Sequence, residues 1–278
     1  MHAIPALGRH QLDKLAPQHV AELLKTKQQA GLSPRRVHHI RAVVRTALNQ
    51  ALRWGLVTGN AAALVDPPRQ TAPEVDPFSP AQARAALAAA EADRLGTLFR
   101  LALTLGLRQG EVLGLRWADV DLEAGVIRVR HSLQRIDGAL ILKEPKTEKS
   151  RRTLHLPLSL VVALRSHRVA QLEERLLAGD RWQERDFVFT TRTGTPLDAR
   201  NVIRSWHRLL AKAGIERRPF HTCRHTAASL LLAEGVPVKV VQEVLGHTLM
   251  STTADIYGHL FPGAFREVAD AMERALAG

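Results

Sequence analysis

The chain has 278 residues, 39 Lys and Arg against 27 Asp and Glu, and a formal net charge of +12 at pH 7. A hydrophobic content of 45% excludes a disordered basic tail, the single cysteine (Cys223) excludes an intramolecular disulfide, and no apolar run reaches the ~18 residues of a membrane span. The N-terminal Met1-His2-Ala3-Ile4-Pro5 lacks a charged region followed by an apolar one, so neither secretion nor membrane insertion is expected, and a basic protein of a reducing cytoplasm with a nucleic-acid partner is.

The charge is spread along the chain, with +5 on residues 1–78 and +7 on the remainder. Pro17 to Ala30 carries Val20, Leu23 and Leu24 at helical spacing, and Gly31-Leu32 breaks the pattern. Ser33-Pro34 supplies an N-cap and a proline at the first helical position. The helix they open runs to about Trp54 and stops at Gly55, with Val37, Ile40, Val44, Leu48 and Ala51 on its apolar face. Arg41 and Arg45 lie one turn apart off that face, with His38 above them and Arg36 near the helix start. They predict an exposed basic stripe, either merely solvated or laid against DNA phosphates or into a major groove.

Residues 66–80 hold five prolines (67, 68, 73, 77 and 80) and few large apolar side chains, the composition of a linker. Ser79-Pro80 repeats the helix-opening signal, and helices are expected at about 80–92, 96–105 and 110–115. Residues 121–125 read as a turn. Val126 to His131 alternates as a strand, Asp137-Gly138 marks a hairpin into 139–142, and 153–156 forms a third strand. Helices resume at about 158–177, 199–213, 223–234, 239–245 and 263–275. The expected fold is mainly α with a small antiparallel β-sheet: a helical domain over 1–65, a linker over 66–78 and an α+β domain over 79–278.

Four segments carry chemistry. Gly106-Leu107-Arg108-Gln109-Gly110-Glu111 places an arginine between glycines at a tight turn before a helix, which can aim a guanidinium from a fixed base. Lys143-Glu144-Pro145-Lys146-Thr147-Glu148-Lys149-Ser150-Arg151-Arg152 is a cation-dense loop between two strands: a solvated run, or a mobile lysine able to reach a phosphate oxygen or a leaving alkoxide. His221 and Arg224 stand three apart on one helical face. His221 and His225 resemble a zinc pair only in spacing, because no Glu fills the second place and Cys223 lies off the face, so no metal or other cofactor is expected. Leu245-Gly246-His247 ends a helix, and ten residues later stands Tyr257, the single tyrosine of the chain and a candidate nucleophile.

Together and in this order the segments resemble the tyrosine recombinase, or phage integrase, family. The resemblance is most specific from Ser79 to about Phe265, and the N-terminal part looks like the helical core-binding domain of such integrases. It places the family's two arginines on Arg108 and Arg224, its hairpin lysine on Lys146, its histidines on His221 and His247, its nucleophile on Tyr257 and its supporting acidic residue on Glu111. Thr222-Cys223 stands where many relatives have Asp-Leu, a change expected to alter packing. The chain opens partway into the family layout, so an arm-binding domain is expected to be lacking and the core-binding domain shortened.

The resemblance implies a site-specific recombinase. Tyr257 would attack a DNA phosphodiester and form a 3′-phosphotyrosine link, with Arg108 and Arg224 on the phosphate, His221 as proton acceptor, Lys146 as acid for the departing 5′-oxygen and His247 donating to the phosphate. The implied partners are double-stranded DNA, three further copies in a tetramer on two duplexes joined by exchange of C-terminal tails, and DNA-bending accessory proteins, in a bacterial or phage-encoded, nucleoid-associated setting. Arg36, His38, Arg41, Arg45, Lys143 and Lys149 are the expected further DNA contacts. Relaxation of supercoils in the manner of a type IB topoisomerase, and an inactive DNA-binding prophage remnant, are the competing readings.

Overall fold

A computed structural model of the chain describes residues 2–68, 76–144 and 151–246, which divide into two units, residues 1–74 and 75–278. The first unit is helical. A short helix α1 (Ile4–Leu7) and a 3-10 turn (Leu12–Lys14) precede α2 (Pro17–Gln29) and α3 (Pro34–Arg53). The Oγ of Ser33 accepts from the amide of Arg36, so the N-cap read from the sequence is made, and Pro34 opens the helix where no amide is needed. Val20, Leu23 and Leu24 of α2 bury against Val37, Ile40, Val44 and Leu48 of α3, with Ala61 and Ala62 closing the cluster. Each such aliphatic side chain contributes about 1.5–3 kcal/mol of burial.

The basic stripe of α3 differs from expectation at one position. Arg41 is 9% exposed, and its Nη2 donates to the carbonyl of Ala63 at 3.4 Å. Position 41 follows Val37 by four residues and precedes Val44 by three, so it belongs to the buried face. Its stem lies among apolar neighbours while the head reaches a loop carbonyl. Arg36 and Arg45 are exposed and His38 is half-buried.

In the second unit, Asp76–Phe78 is tied to the helices that follow. Phe78 is buried, its amide donates to Thr226 Oγ1 at 2.9 Å, and Arg218 Nη1 donates to the carbonyl of Asp76 at 2.8 Å. Ser79 and Gln82 cap α4 (Pro80–Ala90) reciprocally, Oγ accepting from the Gln82 amide and Oε1 from the Ser79 amide. Helix α5 (Gly96–Leu105) is buried nearly all round, through Leu98, Phe99, Leu101 and Ala102, and packs against α4, α7 (Leu158–Ala178) and α9 (Thr222–Ala233). Phe99, Trp206 of α8 (Ala199–Lys212) and Phe220 form an aromatic cluster with ring centroids 5.4–6.3 Å apart. Short α6 (Gln109–Leu113) and α10 (Val238–Leu245) complete the described α-helices, and two 3-10 turns lie at Trp117–Asp119 and Gly179–Arg181.

The β-structure lies in two pieces. Strands β1 (Val120–Asp121), β2 (Val126–Val129) and β5 (Arg152–His155) form an antiparallel sheet in the order β1-β2-β5, and β3 (Ser132–Ile136) pairs with β4 (Ala139–Lys143) through the Asp137-Gly138 turn. The strand expected over 126–131 therefore ends at Val129. Arg130 and His131 both turn to the buried carboxylate of Asp119, at 3.4 and 3.2 Å, and the chain changes partner there. No helix among the described residues is long and apolar enough to cross a membrane.

Candidate active site

Two helix ends meet in the second unit. Helix α5 ends at Gly106 (φ +62) and α10 at Gly246 (φ +68), both left-handed. A Cβ at Gly106 would lie 2.5 Å from Leu245 Cδ2 and 3.1 Å from Ala227 Cβ, so a side chain there would displace packed atoms of α10 and α9 as well as straining the left-handed backbone. The last carbonyls of any helix lack partners within it and carry the negative end of its dipole. Here they collect cations.

Arg224 of α9 is 2% exposed. Its Nη1 donates to the carbonyl of Gly106 at 2.9 Å and its Nη2 to that of Leu245 at 2.6 Å. Arg108, the N-cap residue of α6, donates from Nη2 to the carbonyl of Gly246 at 2.9 Å and from Nη1 to Glu111 Oε1 at 2.8 Å, while its amide reaches Glu111 Oε2 at 3.0 Å. Glu111 thus fixes both the backbone and the head of Arg108. Two of the sequence-derived arginines, 116 residues apart in the chain (224 − 108), are aimed by neighbouring carbonyls of one helix end.

A third arginine was not singled out by the sequence. Arg152, the first residue of β5, buries its guanidinium against Glu111, Nη2 to Oε2 at 2.9 Å, and its Nε donates to the carbonyl of Val244 at 2.7 Å. It sits in a run of charges that reads as a solvated loop. The available signal is alternation: Arg152 stands opposite Val129 and two residues before buried Leu154, on the inward face of the sheet. Its neighbour Arg151 is exposed.

Burial pushes the Glu111 carboxyl up, but the hydrogen bond and charge of Arg152, with the backbone and side-chain hydrogen bonds of Arg108, outweigh it, and the pKa falls below the ordinary value. Glu111 is therefore ionised at neutral pH. His221 stands at the N-cap of α9, three residues before Arg224 and open to solvent on one side. Burial of the other side, then the charges of His225, Arg224 and Arg108, push its pKa down to about 4. It is a neutral imidazole at pH 7, edge-on to His225 at 4.7 Å. Cys223 is fully buried and its thiol pKa is raised by burial, so it remains protonated and acts as packing beside Phe220. Thr222 is buried too, which makes Thr222-Cys223 part of the core.

The structure thus brings together Arg108, Glu111, His221 and Arg224. Lys143 closes β4 on the exposed side, paired in register with Ser132, and is not part of this group. Arg36, His38, Arg41 and Arg45 lie in the first unit. Lys146, Lys149, His247 and Tyr257 lie outside the described residues, as does the helix expected at 263–275. Chemically, the group offers fixed guanidiniums with planar N–H donors and an uncharged imidazole beside them. That set suits an anion gaining charge and a proton in transit.

Residues 78–263 match the family model described as the phage integrase family. A XerC-like tyrosine recombinase of Caldanaerobacter subterraneus subsp. tengcongensis is 36% identical over 252 residues, covering 84% of this chain and 64% of its own length. The chain thus spans about two-thirds of that relative. Among solved structures, the Tn1549 transposon integrase in complex with transposon right end DNA superposes with a TM-score of 0.78 at 22% identity, covering 98% of this chain and 89% of that one. A lambda integrase tetramer bound to a Holliday junction gives 0.63 at 20% identity, with 91% and 68% covered. At those identities the likeness is one of fold.

Proposed function

Because the chain belongs to the phage integrase family, we propose that it is a site-specific DNA recombinase that cuts and rejoins strands through a 3′-phosphotyrosine on Tyr257. The observation that carries the reading is the pair of buried or half-buried arginines, Arg108 and Arg224, aimed by the carbonyls of Gly246 and Leu245, with neutral His221 on the same helix as Arg224. Gly246, whose carbonyl aims Arg108, stands immediately before His247 and eleven residues before Tyr257 in the sequence (257 − 246).

In the proposed reaction the Tyr257 oxygen attacks phosphorus and the bond to the 5′-oxygen breaks. The phenol's proton passes to His221, and Lys146 gives a proton to the departing 5′-oxygen, which leaves as a hydroxyl. Arg108 and Arg224, with His247, hold the non-bridging oxygens as charge builds. Attack by the 5′-hydroxyl of the partner strand on the phosphotyrosine reverses each transfer, so no external energy source is consumed. About one phenol in a thousand is ionised at pH 7, and an imidazole with a pKa of about 4 is a weak base. A bound phosphate diester answers the second difficulty: it places negative charge among Arg108, Arg224 and His221 and so raises the basicity of His221, which takes the proton as the phenol attacks.

The second unit, on this reading, is the catalytic domain, and the exposed Arg36 and Arg45 of the first unit, with His38, contact DNA backbone. Arg41, being buried, supports α3 instead. A homotetramer on two duplexes, with DNA-bending accessory proteins, is the proposed working assembly in a bacterial cytoplasm. The lambda integrase tetramer on a Holliday junction supports it by likeness of fold. A suicide duplex tests the function. With a cognate site selected from random-sequence DNA and a nick beside the scissile bond, cleavage should trap a protein–DNA adduct that survives denaturation. Binding without any adduct contradicts the proposal.

A further inference from the structure

We propose that Arg152 is a positioning residue: it ties Glu111 to the end of α10 and so fixes that helix end, which His247 and Tyr257 follow in the sequence. This rests on the recombinase reading above. The carbonyls of Val244, Leu245 and Gly246 are consecutive, and each accepts from a different arginine: Arg152 of β5 at 2.7 Å, Arg224 of α9 at 2.6 Å and Arg108 at the start of α6 at 2.9 Å. Three elements far apart in sequence thereby converge on one helix end. Two of the three arginines are the proposed phosphate ligands, and Arg152 faces the protein interior.

Arg152 joins the group at two points. Its Nη2 and Nη1 meet Glu111 Oε2 and Oε1 at 2.9 and 3.3 Å, and Glu111 in turn holds Arg108. Its guanidinium also lies so close to Gly246 that a Cβ there would come within 2.9 Å of Nη1 and 3.2 Å of Cζ. Only the planar fork of an arginine reaches a carboxylate with one edge and a helix carbonyl with Nε. A buried ion pair gains little over well-packed apolar residues when packing is the sole need. The geometry here performs a second task. It makes the distance between Arg108 and the end of α10 a fixed quantity, so the guanidinium and the segment bearing the nucleophile share one reference point.

Two variants test this, Arg152→Lys and the double variant Arg152→Met with Glu111→Gln, which removes both buried charges together. Hydrogen exchange is read over residues 240–250, beside thermal unfolding, DNA affinity and single-turnover cleavage at saturating suicide duplex. The double variant should unfold within a few degrees of wild type and bind DNA within about three-fold. Its exchange at 244–247 should speed by roughly 10-fold or more, and its cleavage should slow by roughly 10²-fold, the scale of a misplacement of about 1 Å. Arg152→Lys, which keeps charge but not the fork, should fall between. Wild-type exchange in Arg152→Lys, or cleavage unchanged at saturating DNA in either variant, overturns the proposal. If the wild-type protein itself forms no adduct, the recombinase reading fails, and the exchange data still decide whether Arg152 holds the end of α10.

Discussion

Arg224 and Leu245 are joined by a 2.6 Å hydrogen bond from a buried guanidinium to the carbonyl at the end of α10. A second bond, to the carbonyl of Gly106, leaves the head of Arg224 oriented before any ligand arrives. A lysine cannot reproduce two bonds from one planar group. Arg224→Lys is therefore expected to cost about 1.5–3 kcal/mol of stability, the scale of one lost hydrogen bond from a charged group, and to lower single-turnover cleavage by roughly 10²–10³-fold. Denaturant titration and suicide-duplex kinetics measure the two. A variant as stable and as fast as wild type would show that the paired carbonyls do not aim this side chain.

Gly106 is required by contact as well as by backbone. A left-handed φ costs a residue with a Cβ about 1–2 kcal/mol, and at Gly106 that Cβ also meets Leu245 and Ala227. Gly214 is the comparator: its φ is +68 and nothing lies within 4 Å of the added atom. Gly106→Ala should lower the unfolding midpoint by several degrees more than Gly214→Ala, at about 2–4 °C per kcal/mol for a unit of this size. Equal shifts would mean that the packing of α5 on α10 is looser than the distances imply.

The pH dependence of stability follows from His221. Its folded pKa of about 4 lies below the ordinary 6.5, so between those values the unfolded chain binds more protons than the folded one. The contribution is complete above pH 6.5 and is lost as pH falls through the window toward 4. The lowered values of His225 and His167 act in the same direction. Thermal unfolding across pH 7 to 4 should show a midpoint that falls with acidification, less steeply in His221→Gln. In the free enzyme, the acid limb of kcat/KM assigned to His221 should lie near 4 rather than 6.5.

Much of this architecture is legible in the sequence because it rests on local rules. Ser33-Pro34 and Ser79-Pro80 announce helix starts, Asp137-Gly138 a hairpin, and Gly106 and Gly246 helix ends. Arg41 and Arg152 show where such rules stop. Both are long cations whose stems are apolar: their charge predicts exposure, while their register places them inside. Counting from Val37 and Val44, or from Leu154 and Val129, puts each on a buried face. What no counting gives is the partner. The carbonyls that receive Arg108, Arg152 and Arg224 lie 138, 92 and 21 residues away, and only the tertiary fold chooses them.

Lys146 is proposed as the acid for the departing 5′-oxygen. Lys146→Ala should bind DNA normally and slow cleavage of an ordinary phosphodiester by roughly 10²–10⁴-fold. A duplex with sulfur in the 5′-bridging position has a leaving group that needs no proton, and on it the variant should cleave at nearly the wild-type rate. Equal slowing on both substrates would assign Lys146 to binding or positioning.

The central claim is that the chain's only tyrosine becomes covalently attached to DNA. Peptide mapping of the suicide-duplex adduct by mass spectrometry tests it most directly. The expected result is a 3′-phosphate on Tyr257, and no adduct from Tyr257→Phe at matched DNA occupancy. An adduct on another residue, or one that persists in Tyr257→Phe, would contradict the account.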